Sequence, residues 1–192
     1  MQTAEYRPAP PSLPATADPE SRRAAWLEER RRCITGTQIS AILGLNPYIK
    51  PIDVWAEKKG IDLPFAETEA MRAGRRFERA ILAETSERAE RPIQLADPYE
   101  LIPVAGFPLL GATLDAVWAD TGAPVDAKNI RFRDASVWGD AGTDIFPDSY
   151  KLQLHVQMMA VGRPSANLAV CFSGQDFALY QMERDADVDA LL

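Results

Sequence analysis

Three residues near the middle of the chain have the types and spacing that metal-assisted phosphodiester hydrolysis needs. Asp115 sits in Gly111-Ala-Thr-Leu-Asp-Ala-Val-Trp118. An ionised carboxylate among such apolar neighbours is costly unless a cation pairs with it. Eleven residues on, Pro124-Val-Asp-Ala-Lys128 places Asp126 and Lys128 two apart, so on a strand both side chains leave the same face. Two carboxylates from neighbouring strands, with the Ala127 carbonyl between Asp126 and Lys128, supply the hard oxygen ligands that Mg2+ prefers and leave positions for water and phosphate. Lys128 could then orient the attacking water, while the metal lowers that water's pKa and stabilises charge in the transition state. By itself a lone Asp-x-Lys triplet reads more readily as a surface salt bridge across a hairpin.

The elements that would hold these residues can be read from caps and periodicity. Asp18-Pro19-Glu20 is a helix start, with the run continuing to Arg32. Thr35-Gly-Thr-Gln38 fits a capping box that opens a short helix to Leu43, with Gly44 ending it; Thr35 is explained by capping alone. A third helix is expected over 51–59 and a fourth over 68–87, the latter turning Met71, Phe77, Ala80, Ile81 and Ala83 toward a core. After Pro92 the segments 100–104, 109–118 and 123–128 read as strands. Asp148 can cap a helix over 149–161, and 166–172 and 177–182 read as two further strands. The expectation is an α/β fold with a helical N-terminal half. Residues 1–17, with Pro8, Pro10, Pro11 and Pro14, form a flexible arm, and 18–192 form one domain.

At 192 residues, 46% hydrophobic and 26% charged, the chain can bury a core without disulfides or a structural metal. It has neither an apolar stretch long enough to span a membrane nor a secretory signal, so a cytoplasmic protein without membrane association is expected. Cys33 and Cys171 stand far apart and read as buried thiols, and two cysteines exclude an iron–sulfur nuclease needing four. The net charge of −7 argues against a polyanionic partner. Locally, Arg30-Arg31-Arg32 and Arg72, Arg75, Arg76 and Arg79 could oppose it, or could simply be solvated helix faces.

Several short motifs occur in a fixed order: Arg30 with Ile34-Thr-Gly-Thr37, Gly74-Arg-Arg-Phe-Glu78, Leu114-Asp115, Asp126-Ala-Lys128 and Tyr150-Lys-Leu-Gln153. Together with Ala41-Ile-Leu-Gly-Leu-Asn-Pro-Tyr48 and Val54-Trp55, the series resembles the YqaJ and lambda-exonuclease group of phage recombination nucleases, within the PD-(D/E)XK superfamily. The resemblance spans about residues 26–182. It implies a restriction-endonuclease-like core, a central mixed sheet flanked by helices. It also implies Mg2+, with Mn2+ as a substitute, bound by Asp115, Asp126, the Ala127 carbonyl and Glu78.

In that resemblance Lys128 positions the nucleophilic water and Gln153 lies beside it, with Gln157 a weaker candidate one turn on. Arg30, Thr37 and Thr35 would hold a DNA phosphate. The activity implied is 5′-to-3′ degradation of double-stranded DNA from a 5′-phosphate end, beside a single-strand annealing protein, in a bacterial cell carrying phage or prophage. Some relatives form ring-shaped trimers. An endonuclease on the same core, or a DNA-binding module that has kept only the fold, are the alternatives.

Asp126 stands where glutamate is commoner, shortening the ligand by one methylene. The chain ends at Leu192, where relatives often continue into a helical extension carrying oligomer contacts. His155 reads as structural more readily than catalytic, Tyr150 fits either role, and Trp118, Trp138, Met158 and Met159 read as packing.

Overall fold

The computed structural model describes residues 14, 17–61, 67–134 and 136–191. Apart from Pro14 and Ala17, the expected N-terminal arm lies outside the described residues. Four helices come first, α1 (Pro19–Arg32), α2 (Gly36–Ile42), α3 (Pro51–Lys58) and α4 (Glu69–Arg88). They begin where cap chemistry places them: Asp18 accepts from the Ser21 amide at 2.9 Å and the Thr68 hydroxyl accepts from the Met71 amide at 3.3 Å.

Strands β1 (Ile93–Leu95), β2 (Ile102–Val104), β3 (Phe107–Ala112), β4 (Ala116–Trp118) and β5 (Pro124–Ile130) come next. After them lie α5 (Asp148–Val161), β6 (Ser165–Phe172), β7 (Asp176–Glu183) and α6 (Ala186–Leu191). The five-stranded sheet runs β1-β4-β5-β6-β7, with β5 and β6 its one parallel pair among the described residues. α5 supplies the crossover that a parallel pair requires.

Alternation along β5 and β6 assigns the two faces. Val125, Ala127, Ala169 and Cys171 pack under Ile81 and Leu82 of α4. Leu168, Val170 and Phe172 pack under Leu154 and Met158 of α5, with Trp138, Phe146 and Tyr180. Asp126 and Lys128 therefore project on the α5 side. A third cluster joins Ile39 of α2 to β2, β3 and the Val156 and Met159 edge of α5.

Four expectations need correction. The run 109–118 is two strands: β3 pairs with β2 in a separate ribbon, while β4 pairs with β1 and β5, so the chain changes partners and bends at Thr113–Asp115. The core face of α4 is Ile81, Leu82 and Thr85, whereas Met71, Phe77, Ala80 and Ala83 face outward. The helix is turned so that Glu78 lies on the inward side, in line with Ile81, Leu82 and Thr85. Asp148 is the first residue of α5 rather than its cap, which is Pro147. β1 and α6 were not expected.

Candidate active site

Asp126 is 1% exposed, and both of its carboxylate oxygens are met by donors or positive charge. One oxygen accepts from Gln153 Nε2 at 2.6 Å and from Gln157 Nε2 at 3.0 Å, both from α5. The other oxygen faces the Lys128 ammonium in an ion pair. A buried charge with so many partners is held in one orientation. Gln157, expected to be secondary, contacts the same oxygen as Gln153, because residues four apart share a helix face.

Asp115 occupies the bend between β3 and β4, and its Oδ2 accepts from the Ala127 amide at 2.9 Å. Burial, with the Asp126 charge added, pushes its pKa up to about 7; Lys128 pulls the other way. Glu78, half-buried on α4, is also raised, first by burial and then by Asp126. For Lys128, burial works against the ammonium, but Asp126 and Asp115 outweigh it and leave the pKa above the usual lysine value. The structure thus brings Glu78, Asp115, Asp126 and Lys128 into one electrostatic unit. Tyr150 joins it with its ring 5.7 Å from Lys128 Nζ.

The donors fit a hard divalent cation in chemistry: oxygen ligands only, with the Asp126 charge disfavouring ionisation of Asp115 and Glu78. As placed, no three His, Cys, Asp or Glu side chains among the described residues converge closely enough to hold an ion, and Lys128 stands as the counter-cation at Asp126.

The residues expected to hold a phosphate lie along the α2 side. Ile34 bridges to β3, donating to the Leu109 carbonyl at 2.6 Å and accepting from the Gly111 amide at 3.1 Å. Thr35 is buried, and only half of the expected capping box is made: its amide donates to Gln38 Oε1 at 3.1 Å, while its hydroxyl has no partner among the described residues. Gly36 is pressed against α5. A Cβ there would lie 2.6 Å from Gln153 Cα and 3.0 Å from its carbonyl oxygen.

Arg30 lies with its guanidinium carbon 4.7 Å from the Trp26 ring centre, and its Nε is buried without a partner among the described residues. Trp26 Nε1 in turn donates to Thr113 Oγ1 at 3.1 Å, two residues before Asp115. Neither Trp26 nor Thr113 is marked by any motif in the sequence. An aromatic four residues before Arg30 was the available signal, since such pairs meet on a helix.

The remaining expectations concern packing. His155 turns away from Asp126 and meets Asp189 of α6 at 2.6 Å, where Arg184 also binds. Trp118 is buried, with its indole donating to Asn167 at 2.8 Å. Trp138, Met158 and Met159 are core residues. Cys33 and Cys171 are buried free thiols, both with pKa raised by burial.

Comparison with known proteins bears on the family and the fold. Residues 25–164 match the YqaJ-like viral recombinase domain, an interval that contains every residue placed at the site. The YqaJ protein of Bacillus subtilis (strain 168) is 27% identical over 88% of this chain, and a protein of Acanthamoeba polyphaga mimivirus is 26% identical over 79%. The chain spans 52% and 29% of the lengths of these two relatives. Among solved structures, an alkaline exonuclease from Laribacter hongkongensis superposes with a TM-score of 0.65 at 14% identity, over 88% of this chain and 86% of that one. A phage-related exonuclease from Haemophilus somnus 129PT gives a TM-score of 0.55 at 11% identity, over 82% of this chain and 87% of that one. At such identities the likeness is one of fold: a central mixed sheet flanked by helices, as in the alkaline exonucleases.

Proposed function

Because the chain belongs to the YqaJ-like viral recombinase domain family, we propose that it is a metal-dependent deoxyribonuclease that degrades linear duplex DNA from 5′-phosphorylated ends. The observation that carries this reading is the gathering of Glu78, Asp115 and Asp126, from three separate elements, around Lys128. The L. hongkongensis enzyme has also been crystallised with dAMP, which supports a nucleotide ligand for the shared fold.

Asp115, Asp126, Glu78 and the Ala127 carbonyl would hold Mg2+, for which Mn2+ could substitute. Bound there, the ion would supply Lewis-acid charge and acidify water. The Lys128 ammonium, which pairs with Asp126 in the structure, would hold the attacking water and offset negative charge as the phosphorus–oxygen bond breaks. Gln153 and Gln157 keep the Asp126 carboxylate fixed. Arg30, preorganised on Trp26, and the Thr35 and Thr37 hydroxyls would anchor the terminal phosphate. A single-strand annealing protein for the exposed strand, a ring of three subunits and action in the cytoplasm of a phage-bearing cell complete the proposal.

The test is digestion of a linear 5′-phosphorylated duplex, its 5′-hydroxyl counterpart and a closed circle, with Mg2+ or with chelator. Mononucleotides should appear only from linear DNA and only with metal, more slowly from the hydroxyl end. Lys128→Ala should lower the rate by roughly 10²-fold or more, the scale of removing one such charge-stabilising group. Nicking of the circle would remove the exonuclease assignment, and undiminished activity in Lys128→Ala would remove the site assignment.

A further inference from the structure

Thr113 stands in the bend that carries Asp115 and belongs to neither strand, since β3 ends at Ala112 and β4 begins at Ala116. A residue outside both ladders is held by whatever bonds its own polar groups make. At Thr113 the hydroxyl and the carbonyl are both met by side chains from distant elements. The hydroxyl accepts from Trp26 Nε1 of α1 at 3.1 Å, and the carbonyl faces Gln157 Nε2 of α5 at 3.4 Å. The same Gln157 nitrogen donates to Asp126 at 3.0 Å. Two residues on, the Asp115 carboxylate accepts from the amide of Ala127, the neighbour of Asp126 in β5.

Trp26 is fixed from two further sides. Tyr99 packs against it edge-on, with ring centres 6.1 Å apart and planes at 64°. The Arg30 guanidinium lies over the indole with its carbon 4.7 Å from the ring centre. Arg30 is also held by its main chain, where the carbonyl accepts from Lys58 Nζ of α3 at 2.7 Å. A planar ring with only two side-chain torsions and three directed contacts is a stiff spacer. Arg30, Trp26, Thr113 and the bend at Asp115 thus form a continuous path, each step of it a contact or two residues of chain.

Packing α1 against the bend would need the indole ring but not the hydroxyl, because an apolar residue at 113 would fill the same space. The hydroxyl adds direction. An indole has a single N–H donor, and its bond is strong only along one line. That bond ties the helix bearing Arg30 to the bend bearing Asp115.

We propose that Thr113 is a positioning residue which, through Trp26, fixes the Arg30 guanidinium relative to the Asp115 carboxylate. The inference rests on the nuclease reading, in which Arg30 takes the terminal phosphate and Asp115 serves the phosphodiester to be cleaved. With the two held at a set separation, a phosphate captured at Arg30 brings a phosphodiester of the same strand to Asp115 in one alignment. The terminal phosphate then raises kcat, beyond any gain in binding.

The test compares three variants. Thr113→Val keeps the shape and removes the hydroxyl, Thr113→Ser restores the hydroxyl, and Trp26→Phe keeps a ring beside Arg30 and removes the N–H. With Mg2+, the ratio of kcat on 5′-phosphorylated ends to kcat on 5′-hydroxyl ends should fall roughly 10-fold in Thr113→Val and in Trp26→Phe, within the 10²-fold that a misplacement of about 1 Å can cost. Thr113→Ser should keep the ratio within about twofold, and combining Thr113→Val with Trp26→Phe should lose no more than either alone, because both remove one bond. Without metal, the ratio of Kd values for the two ends should be unchanged in Thr113→Val. The Trp26 indole N–H resonance should move upfield in Thr113→Val and stay in place in Thr113→Ser. An equal fall in kcat on both ends, an unchanged kcat ratio, additive losses in the combined variant or an unmoved indole resonance overturns the proposal, as does a Kd ratio that falls in step with kcat. Absence of cleavage by the unaltered protein with either Mg2+ or Mn2+ overturns the nuclease reading and this proposal with it. Cleavage whose phosphate dependence ignores Thr113 overturns the proposal alone.

Discussion

Asp115 and Asp126 share a side chain and differ in everything around it. Asp126 is supplied with two amides and an ammonium, while Asp115 has one backbone amide and a burial penalty that pushes its pKa up to about 7. A carboxyl whose pKa is raised by folding contributes stability that is fully present below about pH 4, and is lost as pH rises toward 7. In chelator, the Tm of the protein should therefore fall across that window relative to Asp115→Asn, which keeps the acceptor for the Ala127 amide and cannot ionise. The difference should reach on the order of 5 °C at pH 8. Mg2+ should narrow it at pH 8, where the carboxylates are ionised, and have little effect at pH 5, where it competes with a proton. Parallel melting curves for the two proteins would defeat the assignment of Asp115 as the strained acid. The Asp126 and Lys128 pair was legible in sequence because strand alternation fixes which side chains share a face. The rank of Gln157 was not, because it depends on how α5 is rotated over β5.

The starts of α1 and α4 were legible at the scale of elements, since the Asp18 and Thr68 caps are local chemistry. The division of 109–118 was hidden because a change of strand partner is a tertiary event that leaves the apolar run intact. The outward turn of Phe77 was hidden for a related reason: a half-buried Glu78 shifts the inward face away from the purely apolar stripe. At Gly36 two elements meet backbone to backbone, and the contact leaves no room for a side chain. A Cβ at that position would overlap the Gln153 main chain, so Gly36→Ala must move α2 away from α5 or tilt Gln153 off Asp126. Because the overlap is with main-chain atoms, truncating Gln153 cannot relieve it. The expected outcome is a several-fold loss of preference for 5′-phosphorylated over 5′-hydroxyl ends, as the Thr35 and Thr37 side shifts relative to Asp126. An equal loss on both ends, or no loss, would mean that the close approach serves stability alone.

A chain with net charge −7 that acts on DNA as proposed must rely on few, well-placed cations. The arginine clusters seen in the sequence are largely committed elsewhere: Arg31 and Arg32 pair with Glu28, Arg72 with Glu67 and Glu69, and Arg75 with Glu67. Arg30, Arg76 and Arg79 make no ion pair among the described residues, and Arg79 lies near enough to Glu78 to lower its pKa against the larger effect of burial. Of the two arginine clusters these three are left unpaired, and with Lys128 they are the cations that the proposed site offers to phosphates. Each phosphate neutralised contributes about −0.9 to the slope of log K against log salt, so binding of a duplex end should show a slope of about −3 to −4, shallow for a DNA-binding protein. The double variant Arg76→Ala, Arg79→Ala should weaken binding at low salt and reduce the slope by about 2. A slope near −8 would mean that the paired arginines release their carboxylates on DNA. An unchanged slope in the double variant would place the duplex on another face of the molecule, away from α4.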